Sequence, residues 1–201
     1  MRAIAFWSAV LAYALLAFMV MAGGAAWSGY SHLTQYISEL GAAGAPHGRL
    51  VSLGAFLPVG VLLSLFAVLA MLLPPRGLLR TLGFLGLIVF AAGYTAAAFF
   101  PCDPGCRPAD PSPSQTMHLL FGLAGYVAAP LMLTALAISA RGWPVPRWLS
   151  PLGFLCAAVS GIAFLGMAPP LEGLFQRVLE GAVAVWVLAC AFALRKPPAA
   201  E

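Results

Sequence analysis

Charge is what this sequence has least of. Only 8% of its 201 residues are charged, while 62% are hydrophobic, and the mean hydropathy is +0.97. A water-soluble domain of this size needs polar residues to cover its surface, so a soluble fold is excluded. The basic residues are dispersed in short loops rather than clustered with aromatics, which excludes a nucleic-acid partner. Also missing are a phosphate-cradling glycine loop, a nucleophile elbow and a metalloprotease motif. Few charges lie deep in the apolar runs and no run is broken at matching places in two halves, which counts against a secondary transporter. No soluble domain, internal repeat or low-complexity tract is present beyond the tail Pro197-Pro198-Ala199-Ala200.

Long apolar runs fill most of the chain. Six can be read, at about 3–26, 50–73, 81–100, 117–140, 150–168 and 176–194. Each approaches the ~20 residues that cross a hydrocarbon core about 30 Å thick. The first run, Ala3 to Ala22, is longer than a signal-peptide core of about 7–15 residues and is read as an uncleaved span. The expected fold is therefore all-α: one transmembrane bundle of six helices over residues 1–201.

Orientation follows from the arginines and the one lysine. Arg2, Arg76, Arg80, Arg141, Arg147, Arg195 and Lys196 flank one face, and only Arg49, Arg107 and Arg177 the other. That asymmetry predicts both termini in the cytoplasm. Five of the six acidic residues and all three histidines, His32, His47 and His118, then fall outside. A polar site, if there is one, is extracytoplasmic.

The cytoplasmic connections are short and rich in proline, which ends helices. The two long outer loops carry more. In Ser31 to Gly41, Leu33, Ile37 and Leu40 recur at helical spacing, with His32, Gln35, Tyr36 and Glu39 opposite. This predicts a short amphipathic helix at the membrane surface, N-capped by Ser31 and ended by Gly41. In the second loop Asp103-Pro104-Gly105 is a turn sequence that brings Cys102 and Cys106 together. A disulfide is the natural outcome in an oxidising compartment. The alternative is a thiolate metal site, which lacks partners at zinc spacing. Cys156 and Cys190 sit in spans as small packing residues.

Helix faces extend the argument. His118, Gly122, Gly125 and Ala129 share a stripe, and small residues mark where membrane helices meet. His118 is therefore expected to face the bundle. Gly86, Gly93 and Ala97 form a similar stripe before Asp103. Gly173, Arg177, Glu180 and Ala184 share another, on which Arg177 and Glu180 can pair. Ionisable groups at membrane depth face cavities or partners. Together these predict a constellation of Glu39, Asp103, His118, Arg177 and Glu180 around a cavity that opens outward.

The segment Tyr36-Ile37-Ser38-Glu39-Leu40-Gly41 followed by Pro46, the run Phe100-Pro101-Cys102-Asp103 followed by His118, and Gly173-Leu174-Phe175-Gln176-Arg177 carry a resemblance. In motif order, size and six-span layout, essentially the whole chain resembles the bacterial and archaeal domain-of-unknown-function 998 family. The resemblance implies an integral protein of the cytoplasmic membrane and supplies no reaction. More distantly, the polar loops are similar to the membrane hydrolases that include alkaline ceramidases and the progestin–adiponectin receptors. Those hold zinc with three histidines, two of them in H-x-x-x-H, a motif this chain lacks. A divalent metal is thus not supported by ligand spacing.

Three functional classes follow. The leading one is a hydrolase-like enzyme acting on a lipid or other amphiphile at an outward-facing site, in which His118, Asp103 and Glu39 would supply acid–base or ligand groups; the other two are alternatives. In a binding or transport protein, Arg177, Glu180 and Ser38 would contact a headgroup or ion. The third class is a structural membrane subunit. Membrane lipids are the expected partners in each.

Overall fold

The computed structural model describes residues 1–195; Lys196 and the proline–alanine tail lie outside the described residues. Among them every regular element is helical. Five helices are long and apolar enough to cross a membrane: α1 (Arg2–Ala26), α2 (Gly48–Leu72), α3 (Leu78–Phe99), α4 (Pro113–Ala140) and α6 (Glu172–Leu194). Between the last two lies a shorter apolar helix, α5 (Leu149–Leu165). The fifth run expected from the sequence, 150–168, ends early because Gly166 closes the helix and Pro169-Pro170 follow.

Each helix packs on its neighbours in sequence, and α1 closes against α6, so the six form a ring. Glycines let α3 and α4 approach closely. A Cβ on Gly83 would lie 2.4 Å from Leu136, and one on Gly86 2.6 Å from Met132. Gly125 brings the α4 backbone onto Phe90 and Val89 of α3, as its stripe of small residues predicts. Between the neighbouring α5 and α6, buried Trp186 of α6 donates to the Leu149 carbonyl at 3.2 Å. At the seam an Arg2 guanidinium donates to the Leu194 carbonyl at 2.7 Å.

Helix ends explain two departures in register. Ser112 accepts from the Gln115 amide at 3.1 Å, and Pro113 supplies a first turn with φ already fixed. α4 therefore starts at 113 rather than 117. Likewise α3 begins at Leu78, which takes Arg80 into the helix. There it is buried, stacked over Trp143 at 4.1 Å and bonded to the Ala70 carbonyl. In α2, a π-helical stretch, Ser52–Phe56, interrupts the α-helix where the first long loop lies against it.

Candidate functional site

The first long loop, between α1 and α2, is not the amphipathic helix its pattern suggests. Only Ile37–Gly41 is helical, as a 3₁₀ turn. Upstream, Ser31 Oγ accepts from the Leu33 and Thr34 amides, which makes a turn instead of a helix start. Glu39 is the reason the helix begins late. Its Oε1 accepts from the Tyr36 amide at 2.9 Å and its Oε2 from Gln35 Nε2 at 2.9 Å. The carboxylate is buried as a cap for the 3₁₀ turn rather than offered to a ligand.

Arg177 serves the same loop. Its guanidinium donates to the Gln35 carbonyl and to Gly173 at 2.8 Å each, and to the Tyr30 hydroxyl at 2.6 Å. Tyr30 in turn donates to the Tyr36 carbonyl at 2.8 Å. Burial raises the Tyr30 pKa, against the pull of Arg177. His32, edge-on to Tyr30 at 5.1 Å, has its pKa lowered by burial and then by Arg177, which favours its neutral form. Arg177 does not pair with Glu180 as the i, i+3 spacing suggests, because the loop backbone claims it.

In the second loop Cys102 and Cys106 are joined by a disulfide across the turn, with Cα atoms 5.0 Å apart and Gly105 at φ +75°. Ser38 Oγ lies 3.5 Å from Cys106 Sγ, and the Ala43 amide donates to the Cys102 carbonyl at 2.8 Å. The two long loops are thus stitched together. Asp103 does not reach His118: its Oδ1 and Oδ2 accept from the Ser112 hydroxyl and amide at 2.8 and 2.9 Å. A small ring is closed by the disulfide, so its contribution falls near the low end of ~2–4 kcal/mol. Thiol labelling of the intact protein should therefore modify neither Cys102 nor Cys106 until reductant is added; equal modification beforehand would mean free thiols.

What the structure does bring together is a cavity of about 390 Å³ between α3, α4 and the first loop, reaching α6. His118, Glu180 and Ser38 line it, whereas Glu39, Asp103 and Arg177 do not. No hydrogen bond or ion pair among the described residues joins Glu39, Asp103, His118 and Arg177 to one another. Phe56, Phe90, Leu119, Leu123, Phe164 and Met167 make its walls apolar. His118 sits on the wall with Nδ1 3.0 Å from the Phe100 carbonyl. A carbonyl only accepts, so Nδ1 carries the proton and Nε2 is the unprotonated nitrogen of the neutral ring.

At the inner end is a polar cluster built from three helices. Glu180 Oε2 accepts from the Tyr94 hydroxyl at 2.5 Å and Oε1 from the Tyr126 hydroxyl at 3.0 Å. Gln176 donates to Tyr126 at 2.6 Å and accepts from the Ile37 amide at 2.5 Å, which ties the cluster to the first loop. At the mouth Arg107 stacks on Tyr36 with 5.0 Å to the ring centroid, bonds its hydroxyl and pairs with Glu172 at 3.2 Å. Burial works against the Arg107 charge, but Tyr36 and Glu172 outweigh it and raise its pKa.

Sequence reasoning missed Tyr94, Tyr126, Gln115 and Gln176. A signal existed, since Gln176 stands four residues before Glu180 and Tyr126 eight after His118, each pair on one helical face. Among the described residues no three His, Cys, Asp or Glu side chains gather as metal ligands.

These features define a polytopic membrane protein, helical throughout its described regular elements, with a mixed apolar and polar cavity beneath its two long loops. The chain belongs to the family described as Protein of unknown function (DUF998), which matches residues 10–193. No curated protein and no solved structure matches it.

Proposed function

We propose that this is a six-span protein of the cytoplasmic membrane, both termini inside, that binds an amphiphile in a cavity reached from the outer side. The cavity carries the reading: its volume suits a small ligand, its walls are largely apolar, and a buried polar cluster around Glu180 closes its inner end. An amphiphile matches that division, with its chain against Phe56, Phe90, Leu123 and Phe164 and its head toward Glu180. The sixth span is α5, whose 17 residues rise about 25 Å, a modest mismatch that local bilayer thinning absorbs. Reporter fusions check the orientation. A periplasm-active reporter should work at Ala109 and fail at Gly77; activity at Gly77 would invert the topology and place the cavity inside.

Gly122 gives the test of binding. It lines the cavity, and a Cβ built there meets nothing within 4 Å. Gly122→Leu should fill the space without clash and favour the helix by about 0.8 kcal/mol or so. The variant is expected to melt at or above the wild-type temperature and to lose bound dodecanol, followed by native mass spectrometry. Undiminished dodecanol binding by Gly122→Leu would sink the proposal.

His118 supports a second reading, acid–base catalysis on the bound molecule. With Nδ1 donating to Phe100, the imidazole is held in one tautomer on the cavity wall, an arrangement suited to a general base. Asp103 and Glu39 take no part in this reading, because neither lines the cavity.

A further inference from the structure

Glu180 is a carboxylate buried at membrane depth whose hydrogen-bond partners are two neutral phenols. A carboxylate offers about four acceptor positions, so two remain open. Arg177, one turn away on the same helix, is turned to the first loop, and Arg107 is held at the mouth by Glu172 and Tyr36. Among the described residues no cation bonds it. An uncompensated acid at this depth is costly, and such groups mark ligand or ion sites.

Four aromatic rings stand around the same space and all line the cavity: Phe56, Phe90, Tyr94 and Tyr126. Phe90 is 5.9 Å from Tyr94 and 6.3 Å from Tyr126 by ring centroids, and Phe56 is 6.1 Å from Tyr94. On α1 the buried Tyr13 hydroxyl has no hydrogen-bond partner among the described residues, although it does not line the cavity. Aromatic faces around a carboxylate are the arrangement that receives an ammonium group, since ring quadrupole and carboxylate both attract positive charge.

We propose that this aromatic box takes the head of a cationic amphiphile, an alkylamine or alkyltrimethylammonium, with Glu180 as its counter-ion. The proposal rests on the reading of the cavity as an amphiphile site. It assigns Glu180 and Phe90 as headgroup contacts, and the apolar walls to the chain.

Binding by the detergent-solubilised full chain tests it, with dodecanol, dodecylamine, dodecyltrimethylammonium, dodecyl phosphate and tetramethylammonium as probes. The two cationic dodecyl probes should bind at least about tenfold more tightly than dodecanol, the ratio one desolvated charge contact supplies. Glu180→Gln should remove that preference while dodecanol binding persists, and Phe90→Leu should weaken dodecyltrimethylammonium more than dodecanol. Tetramethylammonium binding as tightly as its dodecyl analogue would assign the box to a small free cation and overturn the amphiphile. Equal affinity of wild type for dodecanol and the cationic probes, as a protonated Glu180 would give, overturns the headgroup assignment and leaves the amphiphile site standing. No binding of any dodecyl probe overturns both. The wild-type series decides even if a variant fails to fold.

Discussion

Replacing Gly173 with alanine should detach the first long loop and lower the melting temperature of the whole protein. The added Cβ would lie 2.3 Å from the Gln35 carbonyl oxygen, 2.7 Å from its nitrogen and 2.9 Å from its carbonyl carbon. All three are backbone atoms, so no side-chain rotation relieves the contact. The neighbouring bonds depend on that approach: Leu174 N–H to the Leu33 carbonyl at 2.9 Å and Arg177 to Gln35 at 2.8 Å. Overpacking costs about 1–3 kcal/mol, and each lost hydrogen bond about 1 kcal/mol more. The expected total is roughly 3–5 kcal/mol, with faster amide exchange or proteolysis across 31–41. Gly181→Ala is the control, because nothing lies within 4 Å of its Cβ. It should be neutral or stabilising; a Gly173→Ala protein that behaves like it would show that the loop is not docked there.

That docking bears on the cavity. Ile37 and Ser38 line it from the first loop, and Gln176 reaches Ile37 from α6. A loosened loop would thus release one wall and one anchor of the Glu180 cluster together.

The helices were legible in the sequence because hydrocarbon thickness and helix rise fix a span's length almost regardless of its neighbours. The small-residue stripes were legible too, since close helix approach needs them on one face, as Gly125 against Phe90 shows. The loop charges were not. Glu39, Asp103 and Arg177 looked like free ionisable groups, yet each is consumed by backbone: Tyr36, Ser112 and Gln35 respectively. Short polar loops over a membrane bundle must satisfy their amides and carbonyls with the few side chains available, and these three do so. The Glu180 cluster escaped for another reason. Its partners Tyr94 and Tyr126 stand 86 and 54 residues away, so a pattern within one helix cannot show it.

Gln115 gives the other large effect. It is completely buried beneath the second long loop, where its Oε1 accepts from the Asp103 amide at 2.8 Å and its Nε2 donates to the Cys106 carbonyl at 3.0 Å. One side chain therefore satisfies a donor and an acceptor on opposite sides of the disulfide turn. Leucine has nearly the same volume and can do neither. Gln115→Leu should leave both backbone groups unmet, at about 1–3 kcal/mol each. Asp103 grips Ser112, the N-cap of α4, from the same loop, so the two residues hold one structure from two sides. Gln115→Leu and Asp103→Ala should accordingly be non-additive by about 0.5 kcal/mol or more, as expected for neighbours sharing a network. Thermal melts of both single variants and the double variant measure this directly. Additive losses would mean that the loop is held by independent contacts, and a Gln115→Leu protein melting with the wild type would mean that the bridge contributes nothing.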